Sequence, residues 1–240
     1  MSAAGPSCRR PFSPLGRWLR VPPAQTQATL REAFTRWGKP RTIRVDNGGP
    51  WGSSGNDLPT DLALWLIGLG IEVHWNDPRS PQQNGMVERS QGTGKRWAEP
   101  GQCATAEELQ QRLHEFDDIQ REEYPSIEGR SRAEAFPGLK HSGRRYRAKQ
   151  EEREWDHRRV LEHLAGYVLS RKVDKNGDAW MYHRPHYVGV IHRGKRVLVM
   201  VDPHTCEWLF VDDEGSQLRS QPAEELQAGR IRSLAVGKRP

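Results

Sequence analysis

The apolar positions of the first hundred residues change period several times. Leu30, Ala33, Phe34 and Trp37 recur at i, i+3, i+4 and i+7, the face of an amphipathic helix, and Gly38 and Pro40 supply its stop. Residues 41–45 alternate polar and apolar, which predicts a short strand ending at Asp46. Leu62, Trp65, Leu66 and Leu69 restore the helical spacing, and Gly70 closes that element. Ile71, Val73 and Trp75 then alternate with Glu72 and His74 as a second strand. Ser80-Pro81-Gln82-Gln83 has the form of a capping box with Pro at the first helical position. The helix it opens should carry Asn84, Glu88 and Arg89, and Gly92 and Gly94 should fray it beyond Gln91. The order strand, helix, strand, helix predicts an α/β domain over residues 1–100.

Downstream the pattern changes. Residues 105–124 read as a polar helix with a thin apolar stripe of Leu109, Leu113 and Phe116, and residues 138–160 as a basic linker. From Gly166 onward, β-rich runs at 167–173, 187–191, 197–201 and 208–211 are separated by Asn176-Gly177, Arg193-Gly194, Asp202-Pro203 and Glu214-Gly215. Short strands at that spacing predict a small SH3-like barrel or sandwich. The expected organisation is an α/β core over 1–100, a helical and basic linker region over 101–160, and a small β-barrel over 161–240.

Composition narrows the class. The chain has 240 residues, a net charge of +6, 35% hydrophobic residues and nine Trp, too many aromatics for a disordered chain. Three scattered cysteines make neither a disulfide framework nor a four-cysteine zinc site, and they suit a reducing compartment. The longest apolar run, residues 62–71, is too short to span a bilayer, so a soluble, cytoplasmic protein without a membrane partner is expected. The excess positive charge is local: residues 144–196 hold 14 Lys and Arg against 7 Asp and Glu. Tyr146, Trp155, Tyr167, Trp180, Tyr182 and Tyr187 are interleaved with those cations, a mixture that suits phosphate contacts plus base stacking. A solvated helix face followed by a basic hairpin is the plainer account of the same run. Trp65, Trp75 and Trp208 lie on apolar periodic faces and read as core; His183, His186, His192 and His204 match no zinc spacing.

Two carboxylates stand out. Asp46 ends a predicted strand before Asn47-Gly48-Gly49, where active sites gather in open α/β sheets. Glu88 lies on the predicted helix after residue 80, with room between the two for one helix and one strand to bring the chain back. Converging there, they could offer oxygen ligands to Mg²⁺ or Mn²⁺. By spacing alone, a plain Asp-Asn-Gly turn and a solvated Glu88 are the better account.

The order of three motifs adds to this reading. Trp37-Gly38-Lys39-Pro40, Ile43-Arg44-Val45-Asp46-Asn47-Gly48 and Ser80-Pro81-Gln82-Gln83-Asn84-Gly85-Met86-Val87-Glu88-Arg89 follow one another. Together they resemble the core of DDE transposases and retroviral-type integrases, particularly bacterial insertion-sequence transposases, over residues 22–97 and less specifically to the end. The resemblance implies a ribonuclease-H-like fold whose Mg²⁺ or Mn²⁺ is held by a first Asp, a second Asp and a Glu. Asp46 matches the second Asp and Glu88 the Glu, while Asn84 and Arg89 match positions flanking the active-site helix. It also implies DNA transposition or integration by phosphodiester hydrolysis and strand transfer, with element ends and target DNA as partners and a homo-oligomer assembled on them. Asn84, Arg89, Lys95, Arg96, Arg144, Arg145 and Arg147 are the residues expected to contact DNA. Residues 1–45, however, contain no Asp, and their one acidic residue, Glu32, lies on the amphipathic helix. Leu19-Arg20-Val21-Pro22 is expected to preserve the tail of one strand, in a core incomplete at its N-terminal side. The alternative is a non-catalytic DNA-binding protein derived from a transposase.

Overall fold

A computed structural model describes residues 22–52, 58–77 and 80–237, so the strand tail expected at 19–22 lies, Pro22 apart, outside the described residues. Helix α1, Pro23–Trp37, starts on a proline and ends where the Gly38 amide donates to the Phe34 carbonyl. Strand β1, Thr42–Val45, is followed by α2, Asp61–Gly68, and by β2, Glu72–Trp75. The two strands run parallel, in register from Thr42 opposite Glu72 to Val45 opposite Trp75. A 3-10 turn, Pro81–Asn84, leads into α3, Gly85–Ala98. Then come α4, Ala106–Asp118, closed by a π-helical turn at Ile119–Glu123, and the short α5, Arg132–Ala135. Two further helices, α6 (Glu151–Glu154) and α7 (His157–Ala165), precede the strand-rich half.

That half contains β3 (Leu169–Lys172), β4 (Asp178–Met181), β5 (Arg184–Tyr187), β6 (Arg196–Asp202), β7 (Glu207–Val211) and β8 (Gln217–Pro222), then α8 (Ala228–Arg232). Strands β3, β6, β7 and β8 form one antiparallel sheet in that order, while β4 and β5 form a separate hairpin. The hairpin is fastened to both outer strands of the sheet. Arg171 Nε on β3 donates to the Trp180 carbonyl at 3.1 Å, and Gln221 Nε2 on β8 donates to the Tyr187 carbonyl. The molecule is thus mixed α/β, with a parallel pair in one half and antiparallel sheets in the other.

The run expected as a strand at 187–191 is extended only at its first residue. Gly189 adopts a φ of 137°, and Val190–His192 forms a 3-10 turn. The turn is set by packing, because the position of a Gly177 Cβ lies 2.8 Å from the Gly189 carbonyl carbon, so the two glycine turns touch backbone to backbone.

The core is organised around α2, which is buried on every side from Leu62 to Gly68, as an all-round apolar helix must be. The Phe34 ring of α1 stacks on Trp65 at 6.2 Å, and α7 and α8 cover other sides of the helix. The same cluster runs on through Val160 and Leu164 into Val199, Val201, Trp208 and Phe210 of the sheet and Ile231 of α8. Gly68 gives the closest approach: a Cβ there would overlap the Trp155 indole, whose Nε1 donates to the Trp65 carbonyl at 3.0 Å.

One carboxylate binds these pieces. Buried Glu151 accepts from Arg31 Nη2 at 2.6 Å and Arg31 Nε at 2.9 Å, from Trp65 Nε1 at 3.1 Å and from the Tyr146 hydroxyl. Burial alone would push its carboxyl up, but the hydrogen bonds from Arg31, Tyr146 and Trp65 outweigh burial and hold it below the usual Glu value. Arg144 adds a second tie, donating to the Pro40 carbonyl at 2.5 Å and the Gly70 carbonyl at 2.7 Å. These carbonyls lie just ahead of β1 and β2. A second buried carboxylate, Glu225, accepts from His186 Nε2 at 2.9 Å and Trp208 Nε1 at 2.8 Å, joining β5 and β7 to the chain before α8.

Glu151→Ala strands two buried donors, Trp65 and Tyr146, and the half-buried Arg31, and a loss of about 3 kcal/mol is expected in urea unfolding. Since the Glu151 carboxyl sits below its unfolded value of 4.5, its contribution is present above that pH and is lost as pH falls towards the folded value. Unfolding midpoints measured across pH 3–6 should therefore fall on the acid side in the parent and flatten in Glu151→Ala. Gly68→Ala is expected to cost about 2 kcal/mol by overlap with Trp155, although helix propensity alone favours Ala by about 1 kcal/mol.

Candidate functional site

The parallel register places the ends of β1 and β2 side by side. Val45 lies opposite Trp75, and the Asn76 amide continues the ladder by donating to the Val45 carbonyl at 2.9 Å. Each strand end carries an Asx pair, Asp46-Asn47 on one and Asn76-Asp77 on the other. Asn47 Nδ2 donates to the Asn76 carbonyl at 2.8 Å, and Asn76 Nδ2 donates to Asn84 Oδ1 at 2.5 Å. The chain of amides therefore runs from the loop after β1, across β2, to the start of α3.

A second pair fixes the same helix start. Gln83 Nε2 donates to Asp77 Oδ2 at 2.7 Å while its Oε1 accepts from the Asp77 amide at 3.0 Å. This replaces the capping box expected at Ser80, whose side chain makes no capping hydrogen bond. The Gln83 amide is turned back towards β2 and is not free to close a box, so the chain enters α3 through a 3-10 turn.

Asp46 is exposed, and its Oδ1 accepts from the Gly48 amide at 3.1 Å. Glu88 is exposed in the first turn of α3, where the helix dipole favours a negative charge. The two carboxylates thus belong to elements joined through Asn47, Asn76 and Asn84. Beside them, Asn76 Oδ1 is buried without a hydrogen-bond partner.

Oxygen donors of this kind suit Mg²⁺ or Mn²⁺. Among the described residues, however, no group of three or more His, Cys, Asp or Glu side chains is gathered that could hold a metal ion. Asp46 and Glu88 therefore do not by themselves amount to a three-carboxylate, two-metal ligand set.

The expected DNA-contacting residues divide. Arg89, Lys95 and Arg96 are exposed on α3, which runs unbroken through Gly92 and Gly94 to Ala98. The expected fraying is overturned by packing: a Gly94 Cβ would lie 3.2 Å from the Phe116 ring of α4, so the glycine admits that ring where a larger residue would push it away. Trp97 packs 6.0 Å from the same ring, and a cavity of about 350 Å³ opens between the helices beside Lys95, Leu109 and Leu113. Arg145 and Arg147 are exposed, whereas Arg144 is half-buried and bound to the two backbone carbonyls described above.

The interleaved aromatics divide too. Tyr146, Trp155 and Tyr182 are buried, the last donating its hydroxyl to the Pro59 carbonyl at 2.9 Å. Trp180 and Tyr187 are exposed. Sequence reasoning missed Asn76; the available signal was the repeat of an Asx pair after each of two alternating four-residue runs.

No model of a known protein family matches the chain. No helix among the described residues is long and apolar enough to cross a membrane.

Asn76→Ala removes the bond to Asn84 and should cost about 1 kcal/mol. Amide hydrogen exchange at residues 84–88 should quicken while exchange in α2 stays unchanged.

Proposed function

We propose that this protein acts on DNA in transposition or integration. It would bind the duplex and contribute Asp46 and Glu88 as two of the three carboxylates of a DDE-type centre. The observation that carries the reading is the amide chain Asn47–Asn76–Asn84, which seats the start of the Glu88 helix against the strand ends bearing Asp46. It unites two motifs that lie apart in sequence, in the order found in DDE transposases and retroviral-type integrases. On this reading the parallel pair with its helices is part of a ribonuclease-H-like core, and the strand-rich half is an SH3-like DNA-binding barrel.

Roles follow from position. Arg89, Lys95 and Arg96 on the exposed side of α3, with Arg145 and Arg147, are placed for phosphate contacts. Asn84 holds the helix start, and Arg144 holds the strand starts from behind. A second reading, DNA binding without catalysis, needs only the exposed cations Arg89, Lys95, Arg96, Arg145 and Arg147.

Anisotropy titration of a labelled duplex tests the binding. About four phosphate contacts predict an affinity loss on the order of 100-fold between 50 and 200 mM salt, with no requirement for a divalent ion. Salt-independent affinity, or none, would overturn the proposal. Asp46→Asn and Glu88→Gln should bind duplex as the parent does and abolish any Mn²⁺-dependent nicking. Nicking equal to the parent's would remove both residues from a catalytic role.

A further inference from the structure

The outward face of the β4–β5 hairpin carries chemistry that duplex binding does not use. Trp180 and Tyr187 are each 44% exposed. In the hairpin register Trp180 lies opposite Pro185 and Asp178 opposite Tyr187, so the two rings are diagonal neighbours on one face, with Pro185 and Asp178 at the other two corners. Their mates in the alternation, Ala179, Met181 and His186, point inward and are buried.

Both rings are held in place. The Trp180 indole Nε1 donates to Asp174 Oδ2 at 3.0 Å. That carboxylate lies below the usual Asp value because of the Trp180 bond and those from the Asp178 and Asn176 amides. The Arg219 guanidinium of β8 covers one face of Tyr187 at 5.3 Å, and Arg171 of β3 holds the Trp180 carbonyl. The result is a row across the hairpin: Arg171, Trp180, Tyr187, Arg219.

Charge around the row selects the partner. Residues 171–196 hold seven Lys and Arg against two Asp. Arg219 forms no ion pair among the described residues. Flat rings need a π-face to stack on, and bases in a duplex offer only their edges. We propose that this face is a stacking platform for unpaired nucleotides of single-stranded DNA, with Trp180 and Tyr187 each taking a base and Arg219 a phosphate.

The inference rests on the DNA reading above, and the experiment separates the two. The full chain is titrated against fluorescein-labelled oligo(dT) and against an equal-length duplex, with Trp180→Ala, Tyr187→Ala, Trp180→Phe and Tyr187→Phe alongside the parent. Each alanine variant should weaken oligo(dT) binding by about 10-fold, and each phenylalanine variant should restore it to within about twofold. Duplex affinity should stay within about twofold throughout. Unchanged oligo(dT) binding by the alanine variants overturns the platform and leaves the DNA reading standing. Equal losses on both DNAs, or a parent dimer that dissociates in Trp180→Ala, also overturn it. A parent that binds neither DNA overturns both proposals.

Discussion

A carboxylate taken out of water is tolerated only when its lone pairs are matched, and Glu151 meets that condition with donors from three places in the chain. Arg31 comes from α1, the Trp65 indole from α2, and the Tyr146 hydroxyl from the segment ahead of α6. Helix α2 has no polar face of its own, so it is stable only when α1, α7 and α8 surround it. The Glu151 tie sets how α1 lies against it. The ends of both helices then place β1 and β2, and Arg144 fixes the chain just ahead of the two strands. The strand ends bearing Asp46 and Asn76 are the far consequence of one buried charge.

Much of the helical half was legible because its periods are strict. Residues 30–37 and 62–69 carry undisturbed helical spacing, and 41–45 and 71–75 alternate cleanly, so α1, β1, α2 and β2 stand where the pattern puts them. Strands β4 and β8 were not legible. The first is four residues between two turns, and the second is polar, lies at a sheet edge and ends on Pro222. Gly94 shows the limit of propensity: its cost to α3 is offset by a ring that arrives from α4.

The candidate site divides in the same way. Asp46 and Glu88 stood out because loop chemistry and motif order mark them. What joins them, an amide chain through Asn76, depends on a parallel register that no local window contains. Charge and aromatic content marked residues 144–196 as a candidate polyanion-binding stretch but could not sort its members. Arg144 and Arg145 are adjacent in sequence, yet one lies against backbone carbonyls and the other faces solvent. Trp155 fills the notch at Gly68 while Trp180 lies open on a hairpin. Only tertiary structure separates such pairs.

One core, continuous from α2 into the β6–β7 sheet, holds the strand-end site and the hairpin face in a single frame. Differential scanning calorimetry of the full chain tests this most directly. One transition is expected, with calorimetric and van't Hoff enthalpies that agree. Two resolved transitions, with the helical half melting apart from the strand-rich half, would contradict it.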